Sequence, residues 1–89
     1  MEKTIKAYVI IEKDGLIFGC GNTKQYAIDD FNTQWEDRLS VDEFDIYGNL
    51  INEDGTPISK EESEWRLIFA EIKAESIDDV YGDTEYTEL

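Results

Sequence analysis

Three features of this chain could do chemistry: its twenty-two carboxylates, a Gly19-Cys20-Gly21 step, and the single thiol within that step. A reactive thiol needs a base, and the chain holds no histidine, so Cys/His and Ser/His nucleophile pairs are excluded. With one cysteine and no histidine, zinc sites built from those ligands are excluded as well. Cys20 therefore reads as a small buried hydrophobe. The stretch "GCGNTKQ" has a Gly-x-Gly between a strand and a helix, which invites a phosphate-binding reading. The dinucleotide fingerprint needs a third glycine, where Lys24 stands, and a phosphate loop needs Gly-Lys-Ser/Thr. The simpler reading is a flexible strand-to-helix joint followed by a helix cap.

The carboxylates fit no known ligand pattern. A calcium loop takes ligands at alternating positions ahead of its glycine, and loops built on Gly15 or Gly55 would put Ile10 or Leu50 in the first ligand position. Two carboxylates can cleave a glycosidic bond, but that takes a substrate cleft, which a chain this short rarely builds. The expectation is a non-enzymatic protein with no cofactor and no metal.

The elements that must hold these residues can be read from pattern. "TIKAYVIIEKDGLIFGCGNT" places β-branched and aromatic residues on both sides of Asp14-Gly15, a favoured two-residue hairpin turn. Ile5, Ala7, Val9 and Ile11 share one face and Lys6, Tyr8, Ile10 and Glu12 the other, so one packed and one mostly wet face are expected. Asn22 or Thr23 can cap a following helix, with Gln25 completing a capping box from Asn22. Ile28, Phe31, Trp35 and Leu39 then form an apolar stripe, predicting a helix over about 24–38.

The second half is less defined. In 41–47, Ser40 and Glu43 could form a capping box, yet "FDIY" also fits a short strand. "NEDGTPIS" is a turn, because Asp54-Gly55 supplies positive φ and Pro57 forbids a continuing helix. Residues 65–73 fit a helix behind a Ser59/Glu62 capping box, or a strand in which Trp65, Leu67 and Phe69 share a face. The strand is favoured, since three strands under a helix bury more than an isolated hairpin can. The expected fold is a small α+β domain: an antiparallel sheet, made of the N-terminal hairpin and a third strand, with one or two packed helices. Residues 1–76 form that domain and 77–89 an acidic tail that could lie ordered against it.

Eighty-nine residues, 40% apolar and 12% aromatic, suffice for one folded core. The lone cysteine, the lack of an apolar run long enough for a bilayer, and an amino terminus without secretory features point to a cytoplasmic protein with no membrane partner.

Charge is the strongest signal. Twenty-two acids against eight bases give net −14. Residues 1–21 are balanced, Glu2, Glu12 and Asp14 against Lys3, Lys6 and Lys13, so the whole excess lies in 22–89. The acids are interleaved with core residues, as in "IDDF", "VDEFD" and "IDDVYGD", which fixes many of them on folded structure. Solubility is met by a net charge of about 2–8 in a small domain, and charge beyond that costs stability through self-repulsion. The expected partner surface is Asp29, Asp30, Glu36, Asp37, Asp42, Glu43, Asp45, Asp78, Asp79, Asp83 and Glu85, with Tyr81 and Tyr86 adding flat contact area.

In size, charge and scattering of acids the chain resembles the small inhibitors that phages and mobile elements direct at host defence: DNA-mimic restriction inhibitors, uracil-DNA glycosylase inhibitor proteins and anti-CRISPR proteins. That resemblance implies a decoy which blocks a basic nucleic-acid-binding protein or complex, without catalysis and without binding nucleic acid itself. A second resemblance is carried by "YVIIEKDGLIFGCGNTKQYAIDDF", which looks like the sheet-then-helix segment of HicB-type antitoxins. It implies instead an accessory domain whose open hairpin edge pairs with another chain, a second copy included.

Overall fold

The computed structural model describes residues 3–89; Met1 and Glu2, the latter counted in the hairpin's charge balance, lie outside them. The chain runs β1 (Ile5–Glu12), β2 (Ile17–Gly21), α1 (Lys24–Gln34), a single 3₁₀ turn (Val41–Glu43), β3 (Trp65–Ile72), a second 3₁₀ turn (Ile77–Asp79) and β4 (Tyr86–Glu88). The strands form one antiparallel sheet in the order β2-β1-β3-β4. This is a small α+β fold with one helix. Residues 65–72 are the strand, and the stretch before it makes only a turn, closed by the Ser63 N–H donating to the Ser59 carbonyl at 2.9 Å.

The β1–β2 connection has three residues, not two. The Gly15 N–H donates to the Glu12 carbonyl and the Glu12 N–H to the Leu16 carbonyl, which makes 13–15 the loop. Only Gly15 takes positive φ (+95°), while the Asp14 carboxylate accepts the Leu16 N–H at 3.1 Å. This geometry is a type I turn closed by a left-handed glycine, the commonest three-residue hairpin. It recurs at 53–55, where the Asn52 N–H reaches the Thr56 carbonyl, and at 46–48, where the Asp45 N–H reaches the Asn49 carbonyl. Gly55 and Gly48 hold the same position as Gly15, with φ +88° and +83°.

Both faces of the sheet are buried, against the expectation of a wet one. On one face Ile10 and Leu67 lie under Ala27, Ile28 and Phe31 of α1, with Trp65 and Phe44 completing the cluster. On the other, Ala7, Val9, Ile11, Ile68, Ala70 and Ile72 form a second cluster. Its cover is the chain after β3: Ala74, Ile77, Val80 and Tyr86 pack on it. The acidic 77–89 segment is thus the lid of a core, and the Tyr86 hydroxyl donates to the Gly15 carbonyl at 2.7 Å. An unbroken run of three apolar residues, Val9 to Ile11, is what a strand buried on two sides requires.

The helix is shorter than its apolar stripe suggests. Thr23, not Asn22, is the cap, accepting the Tyr26 N–H at 3.1 Å, and Gln25 turns to Asp29 instead of closing a capping box. The helix ends at Gln34, with Trp35 extended (φ −124°, ψ 153°). The Asn32 amide replaces the missing turns: it donates to the Leu39 carbonyl and accepts the Leu39 N–H, both at 2.9 Å. In 41–47 the Ser40/Glu43 capping box forms around the 3₁₀ turn, and Phe44 then bridges to Leu50.

Candidate acidic interface at the sheet edge

The Gly19-Cys20-Gly21 step is a packing device. A β-carbon at Gly21 would lie 2.5 Å from the Ala27 nitrogen, and one at Gly19 would lie 2.8 Å from the Ala27 carbonyl oxygen. Glycine at both positions lets α1 rest directly on β2. Cys20 between them is buried on the opposite face of the sheet, and burial, with the Asp30 carboxylate second, pushes its thiol up to about 11. A thiol so protonated is inert as a nucleophile.

The outer edge of β2 is occupied from three directions. The Asp30 carboxylate accepts the Cys20 N–H at 3.1 Å and is itself held by the Gln34 amide at 3.0 Å. The Trp35 indole donates to the Phe18 carbonyl at 3.1 Å, and the Gly82 carbonyl accepts the Ile17 N–H at 3.0 Å. An edge whose backbone groups are satisfied is a poor template for strand addition. Trp35 also ends a series of edge-to-face ring contacts, Trp35–Phe18 at 4.9 Å, Phe18–Trp65 at 5.1 Å and Trp65–Phe31 at 4.9 Å, which runs from the surface into the core.

Where α1 ends and the C-terminal segment crosses β2, a groove of about 300 Å³ opens. Leu16, Trp35 and Tyr81 line it, 43%, 45% and 67% exposed, with Asp30 at its floor and no lysine or arginine in its lining. Glu36 and Asp37 follow Trp35 directly, and Asp79 and Asp83 bracket 80–82. Of these four, Asp79 accepts the Ser76 hydroxyl at 3.3 Å; Glu36, Asp37 and Asp83 bond no described residue.

The remaining expected site residues do not join this groove. Asp29 accepts the Gln25 amide on the exposed face of α1. Asp42 is exposed and unbonded, Glu43 accepts the Ser40 N–H at 2.7 Å, and Asp45 holds the 46–48 turn by accepting the Tyr47 and Asn49 N–H groups at 2.8 and 3.0 Å. Asp78 is exposed on the 3₁₀ turn, Glu85 pairs with Lys73 at 2.9 Å, and Tyr86 is half-buried. Burial pushes the Tyr86 phenol above its ordinary value. The single carboxylate surface read from sequence is therefore divided, and Asp30, Glu43, Asp45 and Tyr86 serve the fold. Sequence reasoning missed Leu16 and placed Trp35 in the core. No local signal set Trp35 apart, since Ile28 is likewise followed by two acids and is buried; the end of the helix at Gln34 is what takes Trp35 off the stripe.

Elsewhere, the buried Arg66 guanidinium donates twice to the Glu88 carboxylate, both at 2.9 Å, and from Nε to the Asn49 side chain at 2.9 Å. Those bonds hold the Glu88 carboxyl below the usual glutamate range and raise Arg66 further. Arg66 thereby ties β4 and the 45–49 hairpin to one strand.

Among the described residues no helix is long and apolar enough to cross a membrane, and no group of three or more histidine, cysteine or acidic side chains could hold a metal ion. No protein-family model matches the chain, and neither a curated protein nor a solved structure matches it.

Proposed function

We propose that this is a non-enzymatic cytoplasmic binding protein that blocks a basic nucleic-acid-binding protein or complex, in the manner of the DNA-mimic and anti-CRISPR inhibitors it resembles. The observation that carries this reading is the β2-edge groove: a rigidly held tryptophan and an exposed tyrosine, beside chain segments carrying unpaired carboxylates, in a molecule of net −14. Tryptophan, tyrosine and arginine dominate the energetics of interfaces, and anchors already fixed in place lose little entropy on binding. Free carboxylates around them steer arginine- and lysine-rich surfaces to the groove and add charge-assisted hydrogen bonds on contact. The accessory-domain reading needs an open hairpin edge, and Asp30, Trp35 and Gly82 already occupy the edge of β2.

The test is capture of host-cell proteins on the immobilised chain, washed at about 0.1 M and then about 0.5 M salt, a range over which exposed charge contacts are screened. The expected result is a nucleic-acid-handling protein that high salt or duplex DNA releases, and that a Glu36→Lys, Asp37→Lys, Asp79→Lys, Asp83→Lys variant fails to retain. Retention unaffected by salt, DNA and those four reversals would exclude this surface.

A further inference from the structure

We infer that the Trp35 groove seats one arginine side chain of the partner protein, its guanidinium lying against the Trp35 and Tyr81 rings and bonding the Asp30 carboxylate. This rests on the proposed blocking of a basic partner and names the residue type through which that partner is held. The groove, at about 300 Å³, stands at the lower end of the range for ligand cavities, which suits one long side chain better than a folded element.

Two tyrosines of the C-terminal segment show which ring the fold uses. Tyr86 packs on the second core cluster and donates its hydroxyl to the Gly15 carbonyl. Tyr81 is 67% exposed, and its hydroxyl and ring engage no described residue by hydrogen bond or ring contact. Its backbone is nonetheless fixed: the Tyr81 N–H donates to the Thr84 hydroxyl at 2.8 Å, and the next residue, Gly82, accepts the Ile17 N–H. Across the groove the Trp35 ring is held by its indole bond to Phe18 and still lies 45% exposed. Exposed rings on a fixed backbone mark a contact surface that loses little entropy when it is covered.

The lining and its charge select the occupant. Asp30 is the one charged residue in the lining. Its two oxygens each accept one hydrogen bond, from the Cys20 N–H and the Gln34 amide. A carboxylate has about four acceptor sites, so one remains on each oxygen, the pair that a guanidinium fork bonds. Within three residues of the lining along the chain stand Lys13 and Arg38 against eight acids, Glu36, Asp37, Asp79 and Asp83 among them, and neither cation reaches the lining. An anionic group is therefore repelled, and a purely apolar side chain would strip water from Asp30 without replacing its bonds. Lysine meets the charge, but its compact, strongly hydrated ammonium cannot stack on a ring. Arginine supplies all three contacts: paired donors for Asp30, a flat cation for Trp35 and Tyr81, and an apolar stem for Leu16.

The probe is a decapeptide that alternates glycine with lysine and carries one central arginine, titrated into the full ¹⁵N-labelled chain at about 0.05 M salt. Its controls carry lysine, or the uncharged isostere citrulline, at the central position. The arginine peptide should shift the Trp35 indole N–H and the amides of Leu16 and Tyr81, leave the buried Trp65 indole in place, and bind at least about fivefold more tightly than either control. Tyr81→Ser, at an exposed side chain, should erase the preference for arginine and leave the lysine peptide within about twofold. Asp30→Asn, which keeps an oxygen for the Cys20 N–H, should weaken the arginine peptide by about tenfold. Equal binding of the arginine and lysine peptides, with shifts around Glu36, Asp37 and Asp83, would overturn the arginine site and leave the basic-partner reading standing. Unchanged affinity in both variants would do the same, whereas no shift from any peptide at about 1 mM would overturn both.

Discussion

Gly21→Ala separates a packing role for the Gly-x-Gly step from a phosphate-binding one. Gly21 has no positive φ, so the substitution adds no backbone strain and acts through space alone. The added methyl would lie 2.5 Å from the Ala27 nitrogen and 2.6 Å from both the Tyr26 carbonyl carbon and its β-carbon. Two of these three are backbone atoms of α1, and no rotamer change can move them, so the helix must lift from β2. Overpacking by one methyl costs about 1–3 kcal/mol where neighbours can adjust, and here the upper end, about 3 kcal/mol, applies. A domain of this length has about 4–13 kcal/mol in all. At about 4–8 °C per kcal/mol, Tm should fall by about 12–24 °C, read by circular dichroism against heat and checked by a lower urea midpoint at unchanged m. Phosphate or nucleotide at about 1 mM should leave the wild-type Tm in place, because only a ligand of the native state raises it. A loss under about 0.5 kcal/mol, or a nucleotide-dependent rise in Tm that Gly21→Ala abolishes, would refute the packing account.

Glu88→Gln removes the charge from a pair whose acid side chain is 39% exposed, so the loss at neutral pH should be near 1 kcal/mol rather than the figure for a fully buried pair. Because the Arg66 bonds lower the Glu88 carboxyl when folded, its contribution is complete above the unfolded value of about 4.3 and disappears as pH falls through the folded one. Urea titrations of wild type and variant should therefore converge below about pH 4, and a constant gap down to about pH 2 would refute the linkage. Cys20, at about 11, is ionised in about one molecule in a thousand at pH 8. A thiol-specific disulfide reagent should label it slowly in buffer and rapidly in urea, and equal rates would contradict its burial.

The first hairpin is legible in sequence because β-branched residues flank an Asp-Gly pair, yet the loop's length is set by one carboxylate, Asp14, that captures the Leu16 N–H. The third strand is legible because Trp65–Ile72 is nearly continuous in apolar character. The end of α1 is not, since it depends on the Asn32 amide finding Leu39, seven residues on, and on the Trp35 indole finding Phe18 across the fold. The role of 77–89 was hidden for another reason. Its apolar members, Ile77, Val80 and Tyr86, are too widely spaced to show a period, and they become one surface only when the chain is laid across β1 and β3. The acids were visible as acids, but whether a given carboxylate faces solvent or satisfies a backbone N–H is decided by tertiary position.

That last distinction bears on how the charge can act. Among the described residues the acids lie in turns, near strand ends and on the one helix, and those at 14, 30, 43, 45 and 54 accept backbone N–H groups there. Each of these carboxylates satisfies a backbone N–H group, and that bond offsets part of the self-repulsion that net −14 imposes. Glu36, Asp37 and Asp83 have no such partner, so their charge adds to the repulsion with no bond to the described chain in return. They flank the Trp35 groove, where a basic partner would turn that repulsion into attraction. Removing the first set should therefore weaken the fold at any salt concentration, whereas removing the second should leave it as stable or more so, most visibly at low salt.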